Sequence, residues 1–294
     1  MRILADTERH FILRRRTSWF QIRIFQEVNL LNKELTNRPL LLENVNKVAE
    51  ITIFFWIMKI CATVLGETAG DQLSMTMHLG YSTSGIILIG FFLITLAAQL
   101  KSAHFHPVLY WLVILATTTV GTEISDFMDR SLGLGYSLGT IILLASLILV
   151  LGIWYYREKS LAVDHIYQTR VEVFYWIAIL CSNTLGTALG DFLSDQLGIG
   201  FIGGALITGG IIALVVVAHY CTKINKVFLF WIAFVLTRPF GATFGDLLTK
   251  PFAKGGLNLG TFNSSIIIAV LFALLIAHSS WQRNNELRQQ LNEA

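Results

Sequence analysis

Four aspartates follow one fixed spacing in this sequence, and their carboxylates are groups that can bind cations, carry protons or cap helix ends. Each aspartate lies fifteen residues after a tryptophan; a glycine lies ten residues after that tryptophan, and a glycine or serine directly precedes the aspartate. The tryptophans are Trp56, Trp111, Trp176 and Trp231, and the aspartates are Asp71, Asp126, Asp191 and Asp246. The pattern W-x9-G-x3-[GS]-D therefore predicts a shared site or a shared structural device in four repeats.

Two glutamates and an arginine add to this acidic set. Glu67 lies four residues before Asp71, and Glu123 lies three before Asp126, so each acidic pair shares a helix face. We expect these four carboxylates to line one hydrated cavity between repeats 1 and 2. Arg238 lies opposite, either neutralising a carboxylate or contacting an anion. The wider set of ion-binding candidates adds Asp191, Asp246 and Asn183.

The acidic residues have a functional and a structural interpretation. An ionisable side chain inside a membrane is costly unless it faces a partner or water, which favours a polar site. The four aspartates can instead cap or tie helix ends, and this alternative stays open. Crowded carboxylates cannot all ionise cheaply, so cation binding should weaken as the pH falls from about 8 to about 5. Neutralising Glu123 should weaken binding more than neutralising Asp246, which has no acidic neighbour one turn earlier.

Small residues at regular spacing predict close packing of the helices that carry the aspartates. The pairs are Gly66 and Gly70, Gly121 and Ser125, Gly186 and Gly190, and Gly241 and Gly245. Such small-xxx-small pairs let helix backbones approach each other in membranes. The four tryptophans have aromatic neighbours, which indicates an aromatic belt at the membrane interface.

The composition places these repeats in a bilayer. Hydrophobic residues make up 54% of the chain, charged residues make up 14%, and the mean hydropathy is +0.62, whereas soluble proteins contain about 25% charged residues. We expect an all-α membrane protein with eight transmembrane helices, because about 20 helical residues span a bilayer. The spans are approximately 48–70, 82–100, 107–125, 137–155, 172–190, 201–220, 227–246 and 262–279.

The repeats are arranged in tandem and in parallel. The steps between tryptophans are 55, 65 and 55 residues, which suggests that a pair of repeats was itself duplicated. Because each repeat contains two spans, all four enter the membrane in the same sense, unlike inverted repeats. The approximate bounds are 47–101, 102–157, 167–221 and 222–280.

The two ends of the chain differ from the repeats. Residues 1–46 are rich in arginine and carry apolar residues at helical spacing, which predicts an amphipathic helix on an anionic membrane surface. A solvated basic tail is the alternative. Residues 281–294 form a polar tail.

Lysine and arginine are distributed unequally between the two sides of the predicted bundle. Seventeen lie on the side that carries the N-terminus, and only Arg130, Lys250 and Lys254 lie on the other. The positive-inside rule then predicts that both termini are cytoplasmic and that the four aspartates face outward.

On its Trp, Gly and Gly/Ser-Asp positions, the sequence resembles a family of bacterial integral membrane proteins. These proteins contain four copies of a repeat of unknown function, each with two spans and a characteristic tryptophan. The resemblance covers about residues 47–280 and implies a multi-pass protein of the bacterial inner membrane. It implies no substrate.

The residues themselves suggest a cation transporter or channel, for a divalent metal or coupled to protons. The alternative is a non-transporting membrane scaffold or sensor that acts through residues 1–46. No motif of a common enzyme class is present, so we expect no enzymatic activity and no cofactor beyond a bound cation. The expected partners are the lipid bilayer and a small cation or proton, without nucleic acid, and a homo-oligomer is compatible with the sequence.

Overall fold

The computed structural model describes residues 46–164 and 166–293. The chain divides into residues 1–46 and residues 47–294, and every contact discussed below lies within the second unit. The amphipathic helix predicted for the N-terminal segment lies outside the described residues. Within the described part, all regular secondary structure is helical, which confirms the predicted all-α fold.

Eight long helices run through these residues. They are α1 (Ile53–Asp71), α2 (Gly80–Lys101), α3 (Pro107–Asp126), α4 (Gly135–Glu158), α5 (Thr169–Asp191), α6 (Gly200–Cys221), α7 (Lys226–Thr249) and α8 (Thr261–Glu293). Short π-helical segments continue α1, α3 and α5 at Gln72–Thr76, Phe127–Ser131 and Phe192–Gln196, and a 3-10 turn follows α7 at Phe252–Lys254. All eight are long and apolar enough to cross a bilayer, so the chain is a multi-pass membrane protein.

Helix boundaries differ from the predicted spans where a cap overrides hydropathy. The first span was expected at 48–70, but α1 begins at Ile53 because the Thr52 hydroxyl accepts a hydrogen bond from the Phe55 amide at 3.2 Å. At the other end, the polar tail expected at 281–294 continues α8 without a break.

The odd-numbered helices form a closed inner ring. Helix α1 packs on α3, α3 on α5, α5 on α7, and α7 on α1. Each even-numbered helix packs outside the ring against the odd-numbered helix that follows it, and α8 completes the circle by packing on α1. In an apolar stretch of 18 residues within each odd helix, 61–72% of the residues are buried, compared with 11–28% in the even helices. The helices that carry the aspartates therefore meet, as the spacing of small residues predicts.

The same turn leads into every even-numbered helix. It has the form x-[LI]-G, and both x and the glycine have positive φ. The first positions are His78, Gly133, Gly198 and Asn258, and the glycines are Gly80, Gly135, Gly200 and Gly260. Glycine adopts this conformation without steric penalty, and asparagine and histidine tolerate it better than most residues. This turn links the aspartate-bearing end of each odd helix to its successor in all four repeats.

Candidate functional site

Neighbouring odd helices approach closely at the glycine that lies ten residues after each tryptophan. A Cβ atom added to any of these glycines would crowd the side chain or backbone of the next odd helix. The contacts are Gly66 with Thr118, Gly121 with Asn183 and Thr184, Gly186 with Arg238 and Pro239, and Gly241 with Thr63. The last contact joins α7 to α1, so one packing step is repeated four times around the ring.

The small residue four positions later contacts the side chains of the site. A Cβ atom on Gly70 would lie 3.4 Å from a carboxylate oxygen of Glu123, and one on Gly245 would lie 3.1 Å from Glu67 Cβ. A Cβ atom on Gly190 would lie 3.1 Å from that of Ala242. Gly70 and Gly245 therefore leave space for the longer acidic side chains of Glu123 and Glu67 on neighbouring helices.

Aromatic side chains fill the ring at the end that carries the tryptophans, the Trp end. Trp111, Trp176 and Trp231 are buried, and Trp56 packs with its ring centroid 5.6 Å from that of Phe230. The residue before each tryptophan is also a buried aromatic: Phe55, Tyr110, Tyr175 and Phe230. Three of the four tryptophans of the predicted belt therefore pack on neighbouring helices inside the bundle and do not face lipid.

A buried polar layer lies next to this aromatic layer. Lys59 Nζ donates to Asn183 Oδ1 at 2.8 Å and lies 4.2 Å from the centre of the Phe234 ring. Asn183 Nδ2 donates in turn to Thr117 Oγ1 at 3.0 Å. Asn183, an expected ion-binding residue, is thus engaged with Lys59 and Thr117.

Arg238 occupies the next layer toward the aspartates. Its Nη2 donates to Glu67 Oε2 at 2.8 Å and to the Thr122 hydroxyl, and its Nη1 donates to the Thr63 carbonyl at 3.4 Å. Both charged side chains are buried. Of the two roles that the sequence leaves open for Arg238, the geometry shows the neutralisation of a carboxylate.

The aspartates lie at the opposite end of the ring, the Asp end, where Arg130 joins two of them. Arg130 Nε lies 3.2 Å from Asp126 Oδ1 on its own helix turn, and Nη2 lies 3.0 Å from Asp191 Oδ2 on α5. Its Nη1 also donates to the Tyr81 hydroxyl at 3.0 Å. Repeats 2 and 3 are therefore linked by one shared cation.

Lys250 joins the other two aspartates in the same way. Its Nζ lies 2.6 Å from Asp71 Oδ2 and 3.1 Å from Asp246 Oδ1, which links repeats 4 and 1. Lys250 directly follows α7, and 20% of its side chain is exposed. Burial by itself lowers the pKa of Lys250, but the carboxylates of Asp246 and Asp71 outweigh burial and hold that pKa above its ordinary value.

Of the two structural roles that the sequence leaves open, capping is not seen for Asp71, Asp126 and Asp191, whereas their ion pairs do tie the ends of neighbouring odd helices. Asp71, Asp126 and Asp191 precede the π-helical segments, yet none makes a side-chain capping hydrogen bond there. Their carboxylates enter ion pairs instead. Asp246 lies inside α7, which continues to Thr249.

The structure gives different partners to the four carboxylates that the sequence places in one cavity between repeats 1 and 2. Ser84 Oγ of α2 donates to Glu123 Oε2 at 2.5 Å, while Oε1 of the same carboxylate lies against Gly70 of α1. Glu123 lies twelve residues after its tryptophan and Glu67 eleven, a difference of about 100° around a helix. Asp126 is joined to repeat 3, whereas Glu67 and Asp71 are joined to repeat 4.

Three buried carboxylates can meet around one point at the Asp end. Glu67, Asp71 and Asp246 each offer an oxygen, and these oxygens lie within 4.8 Å of one another. Oxygen ligands at such separations suit hard cations. The group combines the first and last repeats, and it includes Asp246, whose neutralisation was expected to weaken binding less than that of Glu123.

Arg130 and Lys250 are the site residues that the sequence analysis missed. By sequence both are basic residues of the predicted outer side, and each lies four residues after its aspartate, at the spacing that favours an ion pair on a helix. The equivalent positions in repeats 1 and 3 are Met75 and Asp195. The cations therefore alternate around the ring, in agreement with a duplicated pair of repeats.

Comparison with known families accounts for the four copies. Residues 54–105, 109–160, 174–225 and 229–285 each match the family described as Repeat of Unknown Function (DUF347). Each match begins two residues before a tryptophan and covers most of one odd helix and of the even helix that follows it. Comparison with curated proteins and with solved structures gives no match. Since the four matches together cover more than half of the chain, this protein belongs to the DUF347 repeat family and contains four tandem copies of the repeat.

Proposed function

We propose that this membrane protein transports a divalent metal cation, which binds between Glu67, Asp71 and Asp246. The observation that carries the proposal is the approach of their three carboxylates to within 4.8 Å in the buried interior of the ring. A purely structural bundle has little need for such a group, because apolar residues of similar volume often stabilise a buried site as well or better.

The charge balance of the site favours a divalent ion. Three ionised carboxylates carry three negative charges, and Arg238 offsets one of them through its ion pair with Glu67. Lys250 offsets a second charge while it lies between Asp71 and Asp246. When Lys250 moves away, two negative charges remain, which a divalent cation neutralises.

Lys250 is placed to act as an internal substitute for the transported ion. It follows the last residue of α7, and part of its side chain is exposed at the Asp end. In the proposed cycle, an incoming cation displaces the lysine ammonium from Asp71 and Asp246, and the ammonium returns when the cation leaves.

The Trp end supports a carrier rather than an open channel. The buried aromatic layer includes Tyr110 and Tyr175, whose hydroxyls share a hydrogen bond of 2.5 Å. Access from that side requires these rings to separate. The proposed carrier therefore alternates between opening at the Asp end and opening at the Trp end.

Flux into proteoliposomes tests the proposal. Purified protein is reconstituted with a metal-sensitive dye inside the vesicles, and Mn²⁺, Mg²⁺ or Ca²⁺ is added outside. We expect uptake of at least one of these ions by the wild type and a loss of at least tenfold with Asp246→Asn or Glu67→Gln. Asp195→Asn is the matched control, because Asp195 is an exposed carboxylate at the same end.

A scaffold role is the second candidate, and the close glycine packing together with the ion pairs favours it. A scaffold predicts no flux of any of the three cations and no binding that depends on Asp246. Absence of flux together with equal Mn²⁺ binding by the wild type and Asp246→Asn would establish that outcome and reject transport.

A further inference from the structure

Lys59 is a buried cationic side chain that the proposed cation site does not use. It lies on α1 two helical turns from Glu67, about 12 Å along the axis, and its side chain is fully buried. Its Nζ makes a hydrogen bond of 2.8 Å to Asn183 Oδ1 and faces the Phe234 ring. The amine of Lys59 therefore contacts only uncharged groups in the described structure, close to the Trp end of the ring.

Lys59 differs in this respect from the other cations of the bundle. Arg238, Arg130 and Lys250 each lie within ion-pair distance of a carboxylate. Among the described residues, no carboxylate lies within 4.0 Å of Lys59 Nζ. An isolated ammonium is very unfavourable in a buried apolar environment, and such a group usually becomes neutral instead.

In the described part of the chain, the groups that surround Lys59 carry no negative charge that would stabilise an ammonium. Helices α3 and α5 present the hydroxyl of Thr117 and the amide of Asn183, and α7 presents the Phe234 ring. The only charged group among these neighbours is Arg238 of the next layer, which repels an ammonium at this position. Helix α8, which also packs on α1, carries no ionisable side chain from Thr261 to Ala277.

We propose that Lys59 is a neutral amine in this conformation and that its reversible protonation couples proton movement to cation transport. This inference rests on the proposed function. When the aromatic layer opens, a hydronium ion from the Trp side transfers its proton to the lone pair of Lys59 Nζ and becomes water. The proton leaves to water when the ring opens toward the Asp end.

Electrostatics explains how this proton acts on the cation site. A unit positive charge placed about 12 Å away weakens the binding of another unit charge by about tenfold at an effective dielectric constant near 20, and of a divalent ion by more. Protonation of Lys59 on the Trp side thus favours release of the cation there. Deprotonation of Lys59 restores the affinity of the site for the cation. One cation therefore moves from the Asp end to the Trp end while one proton moves in the opposite direction.

Coupled flux measurements separate this role from a structural one. Vesicles contain a pH-sensitive dye in addition to the metal dye, and Mn²⁺ is supplied outside. We expect wild-type Mn²⁺ uptake to drive protons out, whereas Lys59→Gln continues to take up Mn²⁺ without proton movement. Thr117→Val is the matched control: it removes a neutral member of the same layer, and we expect its coupling to remain.

A direct measurement of the amine keeps the inference independent of transport and of the folding of the variant. Nitrogen NMR of labelled lysines in detergent-solubilised wild type, assigned with Lys59→Arg, reports whether Nζ is neutral at pH 7. An ammonium signal would overturn the inference, as would proton movement in Lys59→Gln equal to that of the wild type. A neutral Nζ in a protein that transports none of the three cations would reject the transport function, and with it the coupling.

Discussion

Arg238 and Glu67 are separated by 171 residues in the chain, and their side chains form an ion pair of 2.8 Å inside the ring. The pair joins the last repeat to the first, so the four tandem repeats close into a ring through a contact between a positive and a negative side chain. The corresponding positions elsewhere in the ring hold uncharged threonine, asparagine or alanine. The closure is therefore chemically unlike the other three junctions.

Breaking this pair on one side should destabilise the protein strongly. Replacing Arg238 with Met leaves Glu67 buried without its partner, which typically costs about 3–5 kcal/mol in soluble proteins. The double variant Arg238→Met/Glu67→Gln should recover a large part of that loss, because it removes both charges of the pair. Thermal unfolding of detergent-solubilised protein measures both effects.

The matched control for this cycle is Arg170→Met. Arg170 also forms an ion pair of 2.8 Å, with Glu158, but 66% of its side chain is exposed, so its removal should cost about 1 kcal/mol or less. Equal losses of stability for the buried and the exposed pair would contradict the assigned burial of Arg238.

The glycines of the ring should be intolerant of even one added methyl group. In Gly186→Ala, the new Cβ atom meets Arg238 and lies 2.9 Å from Pro239 Cδ, so the helices must shift apart. We expect a loss of about 1–3 kcal/mol. Gly152→Ala on α4 is the control, because open space surrounds that position, and its stability should be unchanged or slightly higher. Similar melting temperatures for both variants would argue against the packing of α5 on α7.

The sequence predicts where the helices of this fold lie better than it predicts which helices and side chains contact each other. Eight apolar stretches and the repeated tryptophan determine the helices, because hydropathy and period are local properties. The pairing of Asp71 with repeat 4 is not local: it depends on the closure of the ring. A linear reading of the repeats places repeat 1 beside repeat 2 and leaves repeat 4 distant.

The assignment of the two glutamates shows a second limit. Glu67 and Glu123 both precede an aspartate by about one helical turn, so the sequence predicts equivalent positions for them. One residue of offset turns a side chain by about 100°, so Glu123 accepts a hydrogen bond from Ser84 of the outer helix α2, whereas Glu67 pairs with Arg238 of the ring. Counting from the tryptophan, rather than from the aspartate, would have separated the two.

The membrane orientation inferred from lysine and arginine can be measured with cysteine labelling. Gln196 is exposed at the Asp end and Lys159 at the Trp end. In a variant without the three native cysteines, Gln196→Cys should react with an impermeant thiol reagent added to intact cells. Lys159→Cys should react only after the membrane is opened. The reverse pattern would invert the topology and place the proposed cation site on the cytoplasmic side.

Lys250 provides the sharpest test of cation displacement, because its removal should have opposite effects on stability and on affinity. In Lys250→Met, Asp71 and Asp246 lose their shared cation, and we expect the metal-free protein to lose about 2 kcal/mol, given that the lysine is partly exposed. The raised pKa of Lys250 means that its contribution to stability is fully present below its unfolded pKa. That contribution disappears only as the pH rises through the higher folded pKa, so the variant should be less stable than the wild type throughout the neutral range.

The same substitution removes the internal competitor of the metal. Mn²⁺ should therefore bind Lys250→Met at least tenfold more tightly than the wild type, and it should raise the melting temperature of the variant more than that of the wild type. Lys254→Met, four residues further on and exposed, is the control and should change neither quantity. Thermal shift and calorimetric titration with Mn²⁺ at pH 7 measure both. Weaker Mn²⁺ binding by Lys250→Met would show that the lysine does not compete with the metal, and the displacement step would have to be abandoned.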